Sequence, residues 1–372
     1  MGESRIVSVE AHPYRVPLRG MSTAHGEMRV REGALIELRT SDGLTGWGEM
    51  APLAEFGGGT LPEVLAEFAA FAPRLRDKDL DEALMHLYDQ RPALSPVVCG
   101  LEIALLDALG QSTEHSVASL LSSYGEETGE ARSVVAVNAV CGAASLEAVV
   151  EQARAAVAAG FRCIKLKMGG RALYAEIERV AAVRDAIGPA PRLRLDVNEA
   201  WTLEQARIVL KDCALHDIQY VEQPLPAADL DGMRELRRVV SIPVAADEAL
   251  LDLASARRVL AARAADVLVV KPQMAGGLMA GLRMIHEADR AGVRCVVTSS
   301  MEAGIGVAGT LHLAAAAPEV TLECGLATLF ALEDDLLAQE LVVEGGMMAV
   351  PEGPGLGVQP DRAALERYRQ RG

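Results

Sequence analysis

Hydrophobic and polar residues alternate along the first fifty positions, as they do in half-buried β-strands. The alternating runs are residues 5–16, 33–39 and 44–49, and the last two flank a turn sequence that contains Asp-Gly. Such a pair of runs predicts an antiparallel hairpin or meander. From residue 61 to about 121 the apolar residues recur at intervals of three and four, which predicts helices. Strands followed by helices indicate a separate α+β unit.

A second pattern begins near residue 133, where short β-branched runs alternate with longer helical segments rich in Ala, Leu and Arg. The candidate strands are residues 134–140, 163–167, 193–197, 218–222, 243–247, 266–270, 294–299 and 320–324. Eight strand–helix repeats of similar size predict a parallel barrel rather than an open doubly wound sheet. A dinucleotide-binding fold is disfavoured because no G-x-G-x-x-G turn follows the first of these strands.

Composition narrows the class of protein. Half of the 372 residues are apolar, which suffices for a large core. The formal net charge of −16 disfavours binding to nucleic acid or to anionic membranes. The six cysteines are scattered without a C-x-x-C pair, so we expect buried, reduced thiols. No apolar signal core opens the chain and no apolar run reaches membrane-spanning length, so we expect a cytoplasmic protein.

Charged residues follow the apolar runs of the second pattern. Asp196, Glu222 and Asp247 end three consecutive predicted strands, and Lys271 follows the next one. The intervals between these four residues are 26, 25 and 24 positions, which is one strand–helix unit each time. We therefore expect their side chains at similar height on the C-terminal rim of the barrel, where barrel enzymes have their active sites.

Three carboxylates that converge on one rim repel one another unless a cation lies between them. A single Asp after a strand is usually a helix N-cap or a loop residue, but three in register favour a metal site. Ligation by oxygen alone favours Mg²⁺ or Mn²⁺ over zinc. Glu248 is expected to point away from Asp247 if the strand continues, and to have at most a supporting role.

Lys165 and Lys167 are two residues apart on one predicted strand, so both side chains point to the same side. A lone K-x-K also fits two solvated lysines, but beside the acidic residues it predicts a lysine pair near the metal. Neighbouring positive charge should lower a lysine pKa and leave an amine able to accept a proton. Lys271 lies four strands away, so a substrate on the metal would sit between Lys167 and Lys271. This arrangement suits removal of a proton next to a carboxylate, with the metal stabilising the enediolate.

As a set, these motifs resemble those of the enolase superfamily, and within it the muconate-lactonizing-enzyme subgroup. The motifs are KLK at 165–167, DVN at 196–198, VEQP at 221–224, ADE at 246–248 and VVKP at 269–272. The resemblance covers nearly the whole chain. It implies an α/β fold, a modified (β/α)7β barrel of the TIM type with an N-terminal α+β capping domain. The expected divisions are a cap at residues 1–130, a catalytic barrel at 131–345 and a tail at 346–372 that returns to the cap.

The resemblance also implies roles for individual residues. Lys167 and Lys271 would be the acid/base residues, as the lysines of enolase-superfamily sites are. Lys165 and Asn198 would support them. The ligands of a Mg²⁺ ion, for which Mn²⁺ could substitute, would be Asp196, Glu222 and Asp247.

Within the subgroup, the cap loops and the last strand ends determine the substrate. The stretches that look like those of o-succinylbenzoate synthases are 46–56, 296–306 and 323–336. Dipeptide epimerases usually carry Asp-x-Asp at the eighth strand, where this chain has Glu-Cys-Gly. Ser299, Ser300 and Gly325 are therefore expected to bind a dicarboxylate without an ammonium group. Segment 19–31 is expected to form a mobile lid, in which His25 either touches substrate or is solvated.

The expected function is that of a lyase that dehydrates a cyclohexadiene carboxylate, a small molecule, to o-succinylbenzoate on the menaquinone pathway. An N-acylamino acid racemase or a dipeptide epimerase is the alternative, because both lysines needed for two-sided proton transfer are present. A muconate-type cycloisomerase is a second alternative. A non-catalytic barrel that binds an acidic metabolite is disfavoured by the intact set of acids and lysines. Association into a homo-oligomer is compatible with all of these.

Overall fold

An antiparallel sheet forms the N-terminal part of the computed structural model, which describes residues 4–23, 26–124 and 130–370. Its strands are β1 (Ile6–Thr23), β2 (Gly26–Thr40) and β3 (Thr45–Met50), hydrogen-bonded in that order. Both pairings are antiparallel, so the predicted hairpin and meander are confirmed.

Segment 19–31, expected to be a loop, instead extends the first two strands as far as Thr23 and from Gly26 onwards. The pairing continues through Met21 with Met28, so main-chain hydrogen bonds replace the solvent contacts of a loop. The segment is thus a strand hairpin rather than a loop, since ladder pairing depends on the partner strand and not on Gly and Ser content, and its role as a lid stays a prediction. His25 lies outside the described residues.

Helices follow the N-terminal sheet, and the longest of them packs on it. They are α1 (Leu61–Phe71), α2 (Leu80–Asp89), α3 (Ser95–Thr113) and α4 (Val117–Ser122). Helix α3 lies directly on β3, where a Cβ atom at Gly48 would overlap the main-chain oxygen of Gly100. Glycine at this position therefore allows the close approach of helix and strand.

A curled parallel sheet follows, with helices around its outside. Strand β4 (Val134–Ala136) precedes it, and its strands are β5 (Ala139–Cys141), β6 (Cys163–Lys167), β7 (Arg192–Asp196), β8 (Ile218–Glu222), β9 (Val244–Ala246), β10 (Val267–Val270) and β11 (Arg294–Val297). Neighbours in the sheet are neighbours in the chain. The helices are α5 (Leu146–Ala158), α6 (Leu173–Ile187), α7 (Leu203–Cys213), α8 (Leu230–Val239), α9 (Leu253–Ala262), α10 (Pro272–Ala275), α11 (Leu278–Arg290) and α12 (Gly304–Ala316). This is the predicted barrel of the TIM type.

The eighth predicted strand, 320–324, does not form a regular strand. Cys324 forms a parallel bridge with Val137, and Gly325 forms one with Thr298. These two bridges join the first and last strands of the parallel sheet and so close the barrel. A Cβ atom at Gly325 would overlap the Thr298 hydroxyl, so glycine permits the closure.

The first predicted strand, 134–140, divides into β4 and β5 because its two halves have different partners. Strand β5 pairs with β6, whereas β4 pairs with β13 (Met347–Ala349), which follows β12 (Val343–Glu344). The local alternation cannot show that a strand from the C-terminal tail competes for the first half.

The C-terminal tail runs along the N-terminal sheet and ends with α13 (Arg362–Arg367). Trp47 Nε1 donates to Gln359 Oε1 at 3.1 Å, and Arg362 Nη2 donates to Glu37 Oε1 at 2.9 Å. The tail therefore stabilises the strands to which it returns.

Two expectations from composition can be compared with the fold. All six cysteines are buried and free, as predicted. Within the described residues, no helix combines the length and the apolar character needed to cross a membrane.

Candidate active site

The strand ends bring the predicted acids and lysines together on one rim of the barrel. In the sheet register Lys167 lies beside Asp196, and Asp196 lies beside Glu222. Asp247 and Lys271 come directly after β9 and β10. Because parallel strands end at the same edge, all five side chains reach one region.

Lys165 and Lys167 both contact the carboxylates, as their common side on β6 requires. Lys165 Nζ lies 2.6 Å from Glu222 Oε1 and 2.9 Å from Asp196 Oδ2. Lys167 Nζ lies 2.7 Å from Asp196 Oδ2 and donates to Asn198 Oδ1 at 2.8 Å. The two ammonium groups therefore share the Asp196 carboxylate.

Lys271 occupies a different wall, since β7, β8 and β9 separate its strand from β6. Its Nζ lies 2.6 Å from Asp247 Oδ2 and 4.5 Å from the centre of the Phe56 ring. Phe56 belongs to a short 3-10 helix, Ala54–Phe56, in the loop that leaves β3. An aromatic face at this distance stabilises the positive charge of the lysine.

The lowered pKa expected for the lysine pair is not found at Lys165, and the pKa of Lys271, for which no shift was expected, is raised as well. Burial lowers the pKa of Lys165, but Asp196 and Glu222 more than offset this and raise it well above 10.5. Burial likewise lowers the pKa of Lys271, and Asp247 and Glu248 raise it to a net increase. The sequence argument counted the neighbouring cations, whereas the carboxylates are closer.

The carboxylates respond in the opposite sense. For Asp196, burial raises the pKa, but Lys165 and Lys167 outweigh it and the net pKa is lowered. Burial and the Asp196 charge raise the pKa of Glu222 to about 7. Burial and the neighbouring Asp196 charge therefore disfavour the ionised form of Glu222.

Two carboxylate oxygens in this group are buried without a hydrogen-bond partner, Glu222 Oε2 and Asp247 Oδ1. Buried oxygens of this kind are costly unless a cation or donor satisfies them, and oxygen donors suit Mg²⁺ or Mn²⁺. Among residues 4–23, 26–124 and 130–370, no three Asp, Glu, His or Cys side chains are gathered as they stand around a single point that could hold an ion. Lysine ammonium groups lie among the carboxylates instead. The carboxylates therefore fit a cation once these lysine–carboxylate pairs separate.

Glu248 does not point away from the site, because β9 ends at Ala246 and the strand alternation stops there. Asn198 Nδ2 donates to Glu248 Oε1 at 2.8 Å, while Asn198 Oδ1 accepts from Lys167. Burial and the Asp247 charge raise the pKa of Glu248 to about 8. Glu248 is therefore linked to Lys167 through Asn198.

A cavity of about 120 Å³ opens above these side chains. Its lining includes the predicted residues Lys165, Lys167, Asp196, Asn198, Asp247, Lys271, Ser299, Ser300 and Gly325. Ser299 Oγ lies 2.8 Å from Thr328 Oγ1, whereas Ser300 Oγ is buried and has no partner. The last strand ends thus contribute hydroxyl groups to the cavity.

A second cavity of about 350 Å³ adjoins the first, and Lys167 and Thr328 line both. Arg19, Gln152 and Phe330 line its outer part. The lysine therefore lies between a small polar space and a larger space that leads outward.

Glu323 is turned away from both cavities. Its Oε1 lies 2.8 Å from Arg192 Nη1, and its Oε2 lies 3.0 Å from Arg194 Nη2. Arg194 also donates to Asn138 Oδ1 at 3.2 Å. The carboxylate at the eighth strand position thus belongs to a buried ion-pair network inside the barrel.

Sequence reasoning missed several residues that line the first cavity. They are Met28, Leu53, Glu55, Phe56, Asn138, Val140, Thr298, Met301 and Thr328. The sequence could have indicated Thr298 as a lining residue, since it directly precedes Ser299 at a strand end. Phe56 lies in the stretch 46–56 named from the resemblance, but no local pattern predicts its contact with Lys271, because the two residues are more than two hundred positions apart.

Comparison with known proteins places this geometry in a family. Residues 148–364 match the model of the enolase C-terminal domain-like family, and residues 6–122 match the N-terminal domain of mandelate racemase and muconate lactonizing enzyme. An o-succinylbenzoate synthase of Thermobifida fusca is 40% identical over 221 residues, which is 59% of this chain and 67% of that protein.

Two solved structures extend the similarity over the whole chain. A muconate lactonizing enzyme of Pseudomonas fluorescens, complexed with muconolactone, has a TM-score of 0.92 at 26% identity, covering 99% of this chain and 100% of that one. A dipeptide epimerase of Enterococcus faecalis, complexed with Mg and a dipeptide, has a TM-score of 0.88 at 27% identity, covering 95% and 99%. The chain therefore belongs to the enolase superfamily, in its muconate-lactonizing-enzyme subgroup, and is a metal-dependent lyase or isomerase.

Proposed function

We propose that this chain is a carbon–oxygen lyase that dehydrates a hydroxylated cyclohexadiene carboxylate to o-succinylbenzoate, a step of menaquinone synthesis. The observation that supports it best is the wall formed by the last strand ends, where Ser299, Ser300 and Gly325 line the cavity. Glu323, which could have bound an ammonium group there, is held by arginines. Such a wall suits a carboxylate and disfavours a dipeptide with a free amino group.

The similarity to the Thermobifida fusca o-succinylbenzoate synthase supports the same assignment. One acidic side chain outside the proposed metal site, Glu55, also lines the cavity, but it is exposed at the mouth. Solvent screens its charge, so it weakens the preference for an anionic substrate only slightly.

In this proposal Asp196, Glu222 and Asp247 hold one Mg²⁺ or Mn²⁺ ion. When bound, the ion polarises the substrate carboxylate and stabilises the charge that develops as the neighbouring carbon loses its proton. The unpartnered oxygens of Glu222 and Asp247 support this assignment.

Lys167 is the proposed base. Its Nζ is directed by Asp196 Oδ2 and Asn198 Oδ1, so the nitrogen has a defined position at the cavity wall. It takes the proton from the carbon next to the carboxylate, and the electron pair of that bond forms the new double bond as hydroxide leaves. The Lys167 ammonium returns the proton to the hydroxide on the same face, so one water is lost in total. Lys271 presents a positive charge to the opposite face.

The proposal is tested by adding the cyclohexadiene carboxylate to the purified protein and recording the ultraviolet absorbance of the aromatic product. We expect turnover with Mg²⁺, its loss after treatment with EDTA, and its return with Mg²⁺ or Mn²⁺. Full activity in metal-free protein would exclude the metal site. A wild-type protein that is folded and metal-loaded but forms no aromatic product would exclude the lyase.

A second candidate is an N-acylamino acid racemase or dipeptide epimerase, favoured by the positions of Lys167 and Lys271 on different walls of the barrel. Two bases on opposite faces can remove and return a proton with inversion. Incubation of an N-acylamino acid in D₂O would then give α-deuterium together with loss of optical activity. Conversion of cis,cis-muconate to a lactone would instead indicate a cycloisomerase.

A further inference from the structure

Arg31 is a buried arginine of the N-terminal sheet that lies outside the proposed catalytic set. It is on β2, opposite Val16 of β1, and only 3% of its surface is exposed. Burying a guanidinium is costly unless its donors are satisfied, so the partners of this side chain indicate what it does.

All of the hydrogen bonds that the guanidinium makes among the described residues go to main-chain carbonyl oxygens. Two of the accepting oxygens belong to the segment after β3: Nη2 donates to Ala51 O at 2.6 Å, and Nη1 donates to Pro52 O at 2.6 Å. Two more accepting oxygens belong to the segment after β11: Nε donates to Met301 O at 2.9 Å, and Nη2 donates to Ser300 O at 3.3 Å. A fifth bond, from Nη1 to Glu32 at 2.8 Å, lies within β2.

Both bridged segments contribute to the cavity lining. The segment after β3 continues into Leu53 and Phe56, and the segment after β11 contains Ser300 and Met301, all of which line the cavity. Phe56 is also the residue whose ring faces Lys271 Nζ at 4.5 Å. The Arg31 side chain thus connects two parts of the cavity wall. One is the cap loop that carries Phe56 to Lys271, and the other is the strand end whose serine hydroxyl is proposed to bind the substrate.

The segment after β3 has a further anchor on the barrel. Gln273 Oε1 accepts from Ala51 N at 3.1 Å, and Gln273 Nε2 donates to Glu49 O at 2.8 Å. Gln273 lies in α10, directly after Lys271 and Pro272. This anchor holds the start of the loop near Lys271, while Arg31 holds the loop to the end of the neighbouring strand, β11.

We propose that Arg31 is a positioning residue that sets the separation between residues 51–56 and residues 300–301, and thereby places Phe56 against Lys271 and fixes the width of the cavity mouth. A lysine at this position has three donors and no planar fork, so it cannot replace the five hydrogen bonds that Arg31 makes. A methionine keeps the volume but makes none of these bonds.

The test compares the full-length protein with its Arg31→Met and Arg31→Lys variants by hydrogen–deuterium exchange of the backbone amides. The matched control is Arg184→Met. Arg184 is 8% exposed and also donates to main-chain carbonyls, those of His216, Gly188, Pro191 and Asp217. These carbonyls precede β7 and β8, at the end of the barrel remote from the cavity.

In Arg31→Met we expect exchange to become about tenfold faster in peptides that cover residues 51–59 and 299–303, with the barrel strands unchanged. Arg184→Met should instead change peptides near residues 188–191 and 216–217. Wild-type protection of both cavity segments in Arg31→Met would overturn the proposal. Should Arg31→Met not fold, Arg31→Lys decides the question, and it should accelerate exchange in the same two segments.

The kinetic part rests on the proposed function. With the cyclohexadiene carboxylate, Arg31→Lys should lower kcat/KM about 10- to 100-fold, since small misplacements of reacting groups cost that much. Arg184→Met should change kcat and KM less than about twofold. Equal kinetic effects of the two variants would overturn the proposal. If the wild type makes no aromatic product, the proposed function fails, and the exchange experiment still decides the role of Arg31.

Discussion

At the scale of single residues, the candidate active site is a set of buried charges, in which lysines and carboxylates pair with one another instead of with water. Lys165, Lys167 and Lys271 each contact a carboxylate within 2.9 Å. Removing one member of such a set leaves its partner buried without a counter-charge unless a second cation is close. Asp196 has two lysine partners, whereas Asp247 has Lys271. Loss of Lys167 should therefore be tolerated by the fold better than loss of Lys271.

Replacement of Lys167 by Ala is predicted to lower kcat by about 10²- to 10⁴-fold, the usual contribution of a general base. The melting temperature should fall by less than about 4 °C, because Lys165 still neutralises Asp196. Activity assays and circular dichroism measure the two effects. Exposed Lys211 provides the control, since Lys211→Ala should change neither quantity. A large drop in melting temperature for Lys167→Ala would indicate a structural lysine instead.

Glu37 is a buried carboxylate remote from the site, on β2. It accepts from Arg362 at 2.9 Å, from Arg39 at 2.8 Å and from His12 Nε2 at 3.0 Å. Burial raises the pKa of Glu37, but the bonds to Arg362, Arg39 and His12 outweigh it and hold the pKa below 4.5. A carboxyl with a lowered folded-state pKa contributes stability above its unfolded pKa and loses it as the pH falls through the folded value.

Glu37→Gln is predicted to lower the free energy of unfolding by about 1 to 3 kcal/mol at pH 7. The difference from the wild type should shrink between pH 7 and about pH 3, as the pH falls below 4.5 and then through the lowered folded-state pKa, because the wild-type carboxyl becomes protonated. Urea denaturation at both pH values measures it. Exposed Glu151→Gln should have almost no effect at either pH. A difference that stays constant with pH would contradict the role assigned to the charge.

At the scale of elements, carboxylates of the N-terminal unit cap helices of the barrel. Glu49 of β3 accepts from Ala303 N and Gly306 N, both at 2.7 Å, at the start of α12. Glu102 of α3 accepts from Leu278 N and from Met279 N at the start of α11. The first turn of a helix has unsatisfied N–H groups, so each carboxylate supplies acceptors that these helices lack locally.

At neutral pH, the ionisation of buried Glu102 lowers the stability of the folded protein, and a neutral glutamine at this position would not have this effect. Burial raises its pKa to about 7, although the bonds to Tyr88, Leu278 and Met279 lower it in part. An acid with a raised folded-state pKa favours folding below its unfolded pKa, near 4.5, and this advantage is lost as the pH rises to about 7.

Glu102→Gln keeps an oxygen for the main-chain donors and an amide for the Tyr88 hydroxyl. Its stability relative to the wild type is predicted to rise by about 2 to 3 kcal/mol between pH 5 and pH 8. Thermal unfolding at the two pH values measures this. Glu102→Ala, which also removes the cap, should be less stable than the wild type at pH 5. A Glu102→Gln difference independent of pH would show that the pKa of Glu102 in the folded protein is not raised above its unfolded value.

At the scale of the whole molecule, these caps, Arg31 and the C-terminal tail tie the N-terminal sheet to the barrel. Buried hydrogen bonds cross between the two parts from β2, β3 and α3. Neither part can therefore lose its structure without exposing unsatisfied groups of the other, which favours a single cooperative unit.

The protein is predicted to unfold in one transition. Its two tryptophans are buried on opposite parts, Trp47 on β3 and Trp201 after β7. Trp201→Phe and Trp47→Phe variants leave one reporter each, and their fluorescence midpoints in urea should coincide with the midpoint from circular dichroism. Separate midpoints in the two variants would show that the sheet and the barrel unfold independently.

Much of this molecule could be anticipated from local pattern. The strand-end residues Asp196, Glu222 and Asp247 recur at the spacing of one strand–helix unit, and in a parallel barrel that spacing alone brings them to one rim. The alternation of apolar and polar residues in 33–39 and 44–49 and the Asp-Gly turn between these runs likewise predicted the N-terminal sheet. These features depend on periodicity, which is set by residues that are close together in the chain.

Other features depend on partners that are distant in the chain. The division of residues 134–140 follows from competition by the tail strand β13, and the position of Glu248 follows from the end of β9 at Ala246. The raised lysine pKa values depend on which charge is nearer, and a charge at 3 Å outweighs one farther away.

The sequence by itself therefore determined the parallel barrel, its antiparallel N-terminal sheet and the ring of acids and lysines, because a repeat of hydrophobic periods and strand ends is encoded locally. Only the tertiary structure decided that Phe56 faces Lys271, that Glu323 is bound by Arg192 and Arg194, and that Arg31 joins both sides of the cavity. Each of these contacts spans more than a hundred positions or joins separate elements. Their energies come from burial and hydrogen bonding that exist only once the chain is folded.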